Sequence, residues 1–280
     1  MTISSDIVSE QPVVSMILAG GLDPSAGAGL AADLAAANEF GVVGLPIATA
    51  LTIQDSQRCY NMIPVEPGTI TAQLETVYTD ARPRVIKIGL LGSAANASAL
   101  ADFLEKKSLA AIIDPVIAPS AGERFADGAT IEILKQRLLA LSLLVTPNIA
   151  EASEIDGKRI ATLKDAEQAA DRLRARGAEY VLIKGIPGRK SLITDVLVGP
   201  EGKILFSGQQ RSGGVRGTGC SLAAAAAACL ALGYDMAKAV REAVDYAGRK
   251  REEAVQIGQG AKQQRLKKGK TVRGHAEETR

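Results

Sequence analysis

The chain of 280 residues is 46% apolar and 23% charged, with 33 Lys and Arg against 31 Asp and Glu for a net charge of +2. That balance fits one large α/β domain or two small ones and excludes a wholly disordered or collagen-like chain. The one histidine, His275, lies near the C-terminus, so the body lacks the imidazole that Ser-His-Asp, Cys-His and histidine-dependent metal sites need.

The first twelve residues lack a basic start followed by an apolar run and do not read as a secretory signal. Cys59, Cys220 and Cys229 are too few, and too oddly spaced, for a disulfide framework, so a cytoplasmic location is expected. The longest uncharged run, Gly217 to Tyr234, is alanine-rich and too weakly apolar for a membrane span. From Lys262 to Arg280 seven basic residues face two acidic ones, which leaves the body slightly acidic and gives no footprint for nucleic acid.

Val13–Ala19 is an apolar run with β-branched residues and predicts a strand, followed by a glycine-rich loop. Ala28–Phe40 predicts a helix closed by Gly41. The alternation then continues: strand Val42–Ile53, helix Thr69–Ala81, strand Val85–Ile88, helix Ala94–Lys107, strand Ala110–Ile113, helix Gly128–Ala140 and strand Leu143–Val145. Helix Leu163–Arg176 and strand Tyr180–Lys184 come next, then Leu192–Val198 and Lys203–Phe206 as a hairpin, then helices Thr218–Leu232 and Asp235–Val255. Apolar strands alternating with helices imply an α/β fold, a mainly parallel central sheet flanked by helices on both faces, here with an antiparallel edge hairpin. No linker divides residues 1–257, which read as a single domain; residues 258–280, rich in Gly, Gln and Lys, read as a flexible basic tail.

In such a sheet the ligand binds beyond the carboxyl ends of the strands. Two loops there are glycine-rich: Gly20 to Gly29, and Gly213 to Cys220 directly before an alanine-rich helix. The second has the stronger physics, because glycines let a phosphate approach the backbone and a helix start offers free N–H groups. Cys220 sits in the first turn of that helix, where the dipole is expected to lower its pKa. Gly27–Ala32 fits a dinucleotide pattern weakly, and Gly269-Lys270-Thr271 lacks the first glycine of a P-loop, where Gln264 stands. Asp33, Gln54, Asp55, Asp114, Asn148, Glu151 and Lys184 lie at or near strand ends; each alone reads as a capping or solvated group, and together they suit metal-assisted phosphoryl transfer.

The stretches Gly21–Leu34, Ala48–Gln57, Val85–Ser93, Asp114–Phe125, Val145–Ala152, Val181–Gly185 and Arg216–Ala228 resemble the hydroxymethylpyrimidine kinase/phosphomethylpyrimidine kinase family of thiamine biosynthesis, within the ribokinase-like superfamily. Gly-Thr-Gly-Cys at Gly217–Cys220 discriminates, because sugar kinases of that superfamily carry aspartate at the last position. The resemblance implies a ribokinase-like fold and ATP-dependent phosphorylation of 4-amino-5-hydroxymethyl-2-methylpyrimidine and then of its monophosphate. It makes Gly217, Thr218 and Gly219 the anion hole and Cys220 the base. It places Asp33, Gln54, Leu90 and Val116, with Gly21, around the pyrimidine, Lys184 at a nucleotide phosphate, and Asn148 with Glu151 in the magnesium and water region; Asn148 is expected to serve the nucleotide as well, and Asp114 to join Glu151 at Mg2+. A homodimer is the family expectation.

The chain departs from the family pattern at Arg216, where histidine is usual, at Ile186, where glycine is usual, and within Ser212-Gly213-Gly214, where an asparagine is missing. On sequence these departures concern ATP. They motivate a pyrimidine-binding or regulatory relative with weak turnover as the alternative, alongside a pyridoxal kinase-like enzyme and a dinucleotide-dependent one.

Overall fold

The computed structural model describes residues 13–118, 124–188, 192–209 and 215–264. The apolar runs become β1 (Ser15–Leu22), β2 (Val43–Gln54), β3 (Cys59–Pro64), β4 (Val85–Ile88), β5 (Ala110–Ile113), β6 (Ser142–Val145), β7 (Tyr180–Pro187), β8 (Leu192–Gly199) and β9 (Gly202–Gln209). They form one sheet in the order β3-β2-β1-β4-β5-β6-β7-β8-β9. The six strands from β2 to β7 in this order run parallel, while β3 at one edge and β8 and β9 at the other are antiparallel.

The helices are α1 (Gly29–Glu39), α2 (Pro67–Ala81), α3 (Ala94–Lys106), α4 (Gly128–Ile133), α5 (Ile149–Asp156), α6 (Leu163–Arg174), α7 (Thr218–Ala231) and α8 (Met236–Glu252). Alternate residues of each central strand feed opposite cores, as the two-residue period of a strand requires. Ile17, Ile86 and Ile113 pack under α2 to α6, and Met16, Leu18 and Ile112 pack under α1, α7 and α8. Ala223 to Ala228 of α7 are all buried. Small side chains let α7 lie close to α1, α8 and the sheet together, which holds its N-terminus at the strand ends.

The hairpin and both faces of helices match the expected architecture, with four local differences. β1 continues through Gly20 and Gly21 to Leu22, its register against β2 shifting at that pair. β3 is largely exposed and ends in Pro64, so it carries no buried apolar run. α5 is confined between Pro147 and Gly157, too short to display a helical stripe. The helix expected over Gly128–Ala140 is α-helical only to Ile133, then widens over Leu134–Leu138 and tightens over Leu139–Leu141.

The largest correction concerns the tail. Residues 258–264 belong to the body: β11 (Lys262–Gln263) pairs with β10 (Val215–Arg216), and Gln263 and Gln264 are each only 3% exposed. Their fixation comes from hydrogen bonds rather than apolar burial, so hydropathy gives no sign of it. Residues 265–280 lie outside the described ones.

Candidate active site

At the carboxyl ends of the strands lies a cavity of about 660 Å³, a size suited to a small-molecule ligand. Gly21, Asp33, Gln54, Leu90 and Val116 line it, and so do Asp114, Asn148, Glu151 and Lys184. The turn Gly217, Thr218, Gly219 and Cys220 completes the wall, so the topology brings all the candidate residues to one place.

On the β1 side, space is tight. A Cβ on Gly21 would lie 2.6 Å from Leu90 Cδ2, so any larger residue there must displace the Leu90 side chain, while Thr49 Oγ1 donates to the Leu90 carbonyl and fixes its backbone. Thr52 and Gln54 of β2 face the cavity, whereas Leu51 and Ile53 point the opposite way.

On the α7 side, Gly217 has φ of 78°, and a Cβ there would lie 2.3 Å from the Gly27 carbonyl oxygen. No side chain caps α7, so its first N–H groups are available to an anion. A Cβ on Gly219 would stand 3.4 Å from Lys184 Nζ, which sets that ammonium over the same turn. Gly27 itself is packed against Gly217, Gln263 and Arg216, so the dinucleotide pattern at Gly27–Ala32 has no room for a pyrophosphate.

A line of charges joins the two sides. Asp33 and Lys87, both fully buried, are paired at 2.8 Å. Burial pushes Asp33 up to about 6 although Lys87 opposes it, and Asp33 Oδ1 has no partner. Burial alone would lower Lys87, but Asp33, Cys220 and Asp114 hold it above its ordinary value. Asp114 Oδ1 accepts from Lys184 Nζ at 2.9 Å and from Thr146 Oγ1 at 3.1 Å. Its burial is outweighed by Lys184 and Lys87, which keep it ionised. Glu151 is pushed up to about 7 by burial and by Asp114, against the pull of Lys184.

Asn148 and Glu151 form the capping box of α5: Glu151 N–H donates to Asn148 Oδ1 at 3.0 Å, and Asn148 N–H donates to Glu151 Oε2 at 2.8 Å. Among the described residues no group of three or more His, Cys, Asp or Glu gathers as a metal cage. With one Asp114 oxygen taken by Lys184, the site fits Mg2+ only as an ion carried largely by phosphates and water.

Cys220 departs from expectation. Its thiol is pushed up to about 12 by burial, with Asp114 and Asp33 adding to the effect, and Lys87 and the Gly29 N–H only partly opposing it. Desolvation wins over the helix dipole because the dipole contributes a fraction of a charge. Although Cys220 is only half-buried, these surroundings favour the thiol over the thiolate.

Sequence reasoning passed over Lys87, whose signal was a lysine inside the apolar run Val85–Ile88. The Arg216 guanidinium pairs with Asp23 Oδ2 at 2.8 Å and donates to Ser25 Oγ at 2.9 Å and the Asp55 carbonyl at 2.6 Å, contacts with no signal in the local sequence. Ile186 is buried in the core, while Gly185 keeps the positive φ of 82°. The Arg216 side chain runs to the Asp23 and Asp55 loops and the Ile186 side chain into the core, neither toward the Gly217–Cys220 turn, and Ser212 to Gly214 lie outside the described residues.

The phosphomethylpyrimidine kinase family profile matches residues 23–265. A hydroxymethylpyrimidine/phosphomethylpyrimidine kinase of Rhizobium meliloti is 34% identical over 245 residues, covering 86% of this chain and 92% of that protein. A crystal structure of phosphomethylpyrimidine kinase from Clostridium difficile superposes with a TM-score of 0.74 at 30% identity, over 85% of this chain and 98% of that one. The ADP complex of Bacillus subtilis pyridoxal kinase superposes with a TM-score of 0.83 at 26% identity, over 91% and 97%. No helix among the described residues is long and apolar enough to cross a membrane. Since the match runs from the first loop of the cavity to the segment that folds back against it, the chain belongs to the phosphomethylpyrimidine kinase family and is a phosphotransferase of ribokinase-like fold.

Proposed function

We propose that this chain phosphorylates 4-amino-5-hydroxymethyl-2-methylpyrimidine, and then its monophosphate, with ATP as donor. The observation that carries the reading is one cavity with an amine-accepting end and an anion-accepting end. Asp33 Oδ1 has no partner within the protein and Gln54 offers an amide, which suits the edge of an aminopyrimidine; Gly21, Leu90 and Val116 supply the walls. At the other end the α7 N-terminus and Lys184 suit the transferred phosphoryl group, where charge spreads over its oxygens.

In this reading Asn148 and Lys184 would hold the nucleotide phosphates, and Asp114 and Glu151 would face the Mg2+ bound with them, which would supply positive charge against the phosphate oxygens. Cys220 adjoins the reacting hydroxyl as a neutral thiol. A neutral thiol has no place for a further proton, so the hydroxyl proton passes to an oxygen of the transferred phosphoryl group as the new O–P bond forms, and Cys220 helps only to position the hydroxyl, a small share of the rate.

Replacing Gln54 by Leu should raise the KM for the pyrimidine about tenfold or more and leave the KM for ATP within about twofold, because a polar edge left unpaired in a closed site is costly. The pyrimidine KM of the unaltered enzyme should also rise as pH falls through about 6, where Asp33 takes a proton and loses its charge. An unchanged KM for the pyrimidine in the Gln54→Leu enzyme would remove this assignment.

The higher TM-score to pyridoxal kinase favours one second reading, a shared capacity for pyridoxal, which also presents a hydroxymethyl group on an aromatic ring. A homodimer is proposed through the β1-β2-β3 edge, where Leu22, Leu51 and Ile63 form an exposed apolar row with Ile53 beside it. Sedimentation equilibrium should give twice the chain mass; a Leu51→Glu variant that sediments no differently would assign the dimer elsewhere.

A further inference from the structure

Residues 258–264 leave α8 and run back to the cavity, which Ala261 lines. They are fastened at two sets of loops. On the pyrimidine side, Gly260 N–H donates to Ser56 Oγ at 3.0 Å, Ala261 N–H to the Ser56 carbonyl at 3.0 Å, and Gln263 Nε2 to the Ser25 carbonyl at 3.0 Å. On the phosphate side, Gln264 Oε1 accepts from Ser221 Oγ at 2.8 Å, and Gln264 Nε2 points at the Arg216 carbonyl at 3.4 Å.

The approach is close by construction. A Cβ on Gly260 would lie 2.0 Å from the Ser56 carbonyl oxygen, and one on Gly217 would lie 3.1 Å from Gln264 Nε2. Arg216 ties the same parts from within, its carbonyl facing Gln264 and its guanidinium held by Asp23, Ser25 and Asp55. The loops at Asp23–Ser25 and Asp55–Ser56 thus share one network with the first turn of α7.

We propose that this strap is a positioning element of the reaction, with Gln264 setting the α7 N-terminus relative to the loops around the aromatic substrate. Gln264 touches no reacting atom. It acts through Ser221, in the first turn of α7, and through the carbonyl that precedes Gly217. Phosphoryl transfer depends chiefly on placement, so a small displacement of the N–H groups lowers turnover without emptying the pyrimidine site.

The inference rests on reading Gly217–Cys220 as the phosphoryl site. In the full chain, Gln264→Ala is expected to lower kcat about tenfold to a hundredfold, with the pyrimidine KM and the melting temperature close to those of the unaltered enzyme. Ser221→Ala should act in the same direction, and the double variant should be no worse than the more damaging single one, as a shared contact requires. Gln264→Glu, which keeps the acceptor for Ser221, should recover part of kcat and covers the case in which Gln264→Ala does not fold.

An unchanged kcat in Gln264→Ala would overturn the proposal, as would a loss of kcat explained wholly by a fall in melting temperature, or effects of Gln264 and Ser221 that simply multiply. If Gly219→Val is inactive while Gln264→Ala is normal, the strap inference alone fails. Full turnover by Gly219→Val would instead remove the phosphoryl site on which it rests.

Discussion

Gly219→Val should lower kcat/KM by about a hundredfold to a thousandfold, the scale of losing one preorganised donor to a developing anion. The first added carbon already stands 3.4 Å from Lys184 Nζ. The two further methyl groups of valine extend into the space that the phosphoryl oxygens must share with that ammonium. Because the turn faces the cavity rather than the core, the variant should melt near the unaltered enzyme, and Gly219→Ala should fall between the two in activity. A coupled assay for ADP release measures the loss. Turnover within about twofold of the unaltered enzyme would show that the phosphoryl group is held somewhere else.

Lys87→Met should produce the largest loss of stability, about 3–5 kcal/mol at pH 8, because it leaves the fully buried Asp33 without its cation. The loss should shrink in acid. Asp33 already has a folded pKa raised to about 6 from 3.8, and without Lys87 it rises further. An acid whose folded pKa is raised is most favourable to the fold at low pH and becomes unfavourable as pH climbs through that pKa. Thermal melts at pH 5 and pH 8 should therefore show a larger gap between variant and unaltered enzyme at pH 8. Adding Asp33→Asn to Lys87→Met should return much of the stability and none of the pyrimidine binding. An equal gap at both pH values would mean that the pair is not what Lys87 contributes.

The parallel sheet was legible because strands buried on both faces leave short continuous apolar runs such as Ala110–Ile113, and the rule that ligands sit beyond the strand ends led to both glycine loops. Lys184 declared itself by ending such a run, and its partner is Asp114. Lys87 carries the same kind of signal, a lysine inside the apolar run Val85–Ile88, but nothing local names its partner Asp33, 54 residues earlier, just as nothing local names Asp114, 70 residues before Lys184. Cys220 shows a competition that position alone cannot decide: the helix start favours a thiolate, but burial among Asp114 and Asp33 disfavours it more. The strap was hidden for another reason. Gly258 to Gln264 are held by backbone and amide hydrogen bonds to Ser25, Ser56, Arg216 and Ser221, and a polar segment so fixed has the same composition as a free one.

The proposed function requires the amine-accepting end of the cavity to select a pyrimidine for phosphorylation at the α7 turn. ADP release measured side by side with 4-amino-5-hydroxymethyl-2-methylpyrimidine, pyridoxal and ribose tests it most directly. The pyrimidine should be used with a kcat/KM at least about tenfold above that for pyridoxal, and ribose should give no release above background. Pyridoxal used as well as or better than the pyrimidine, or no release with any of the three, would contradict a pyrimidine-selective kinase.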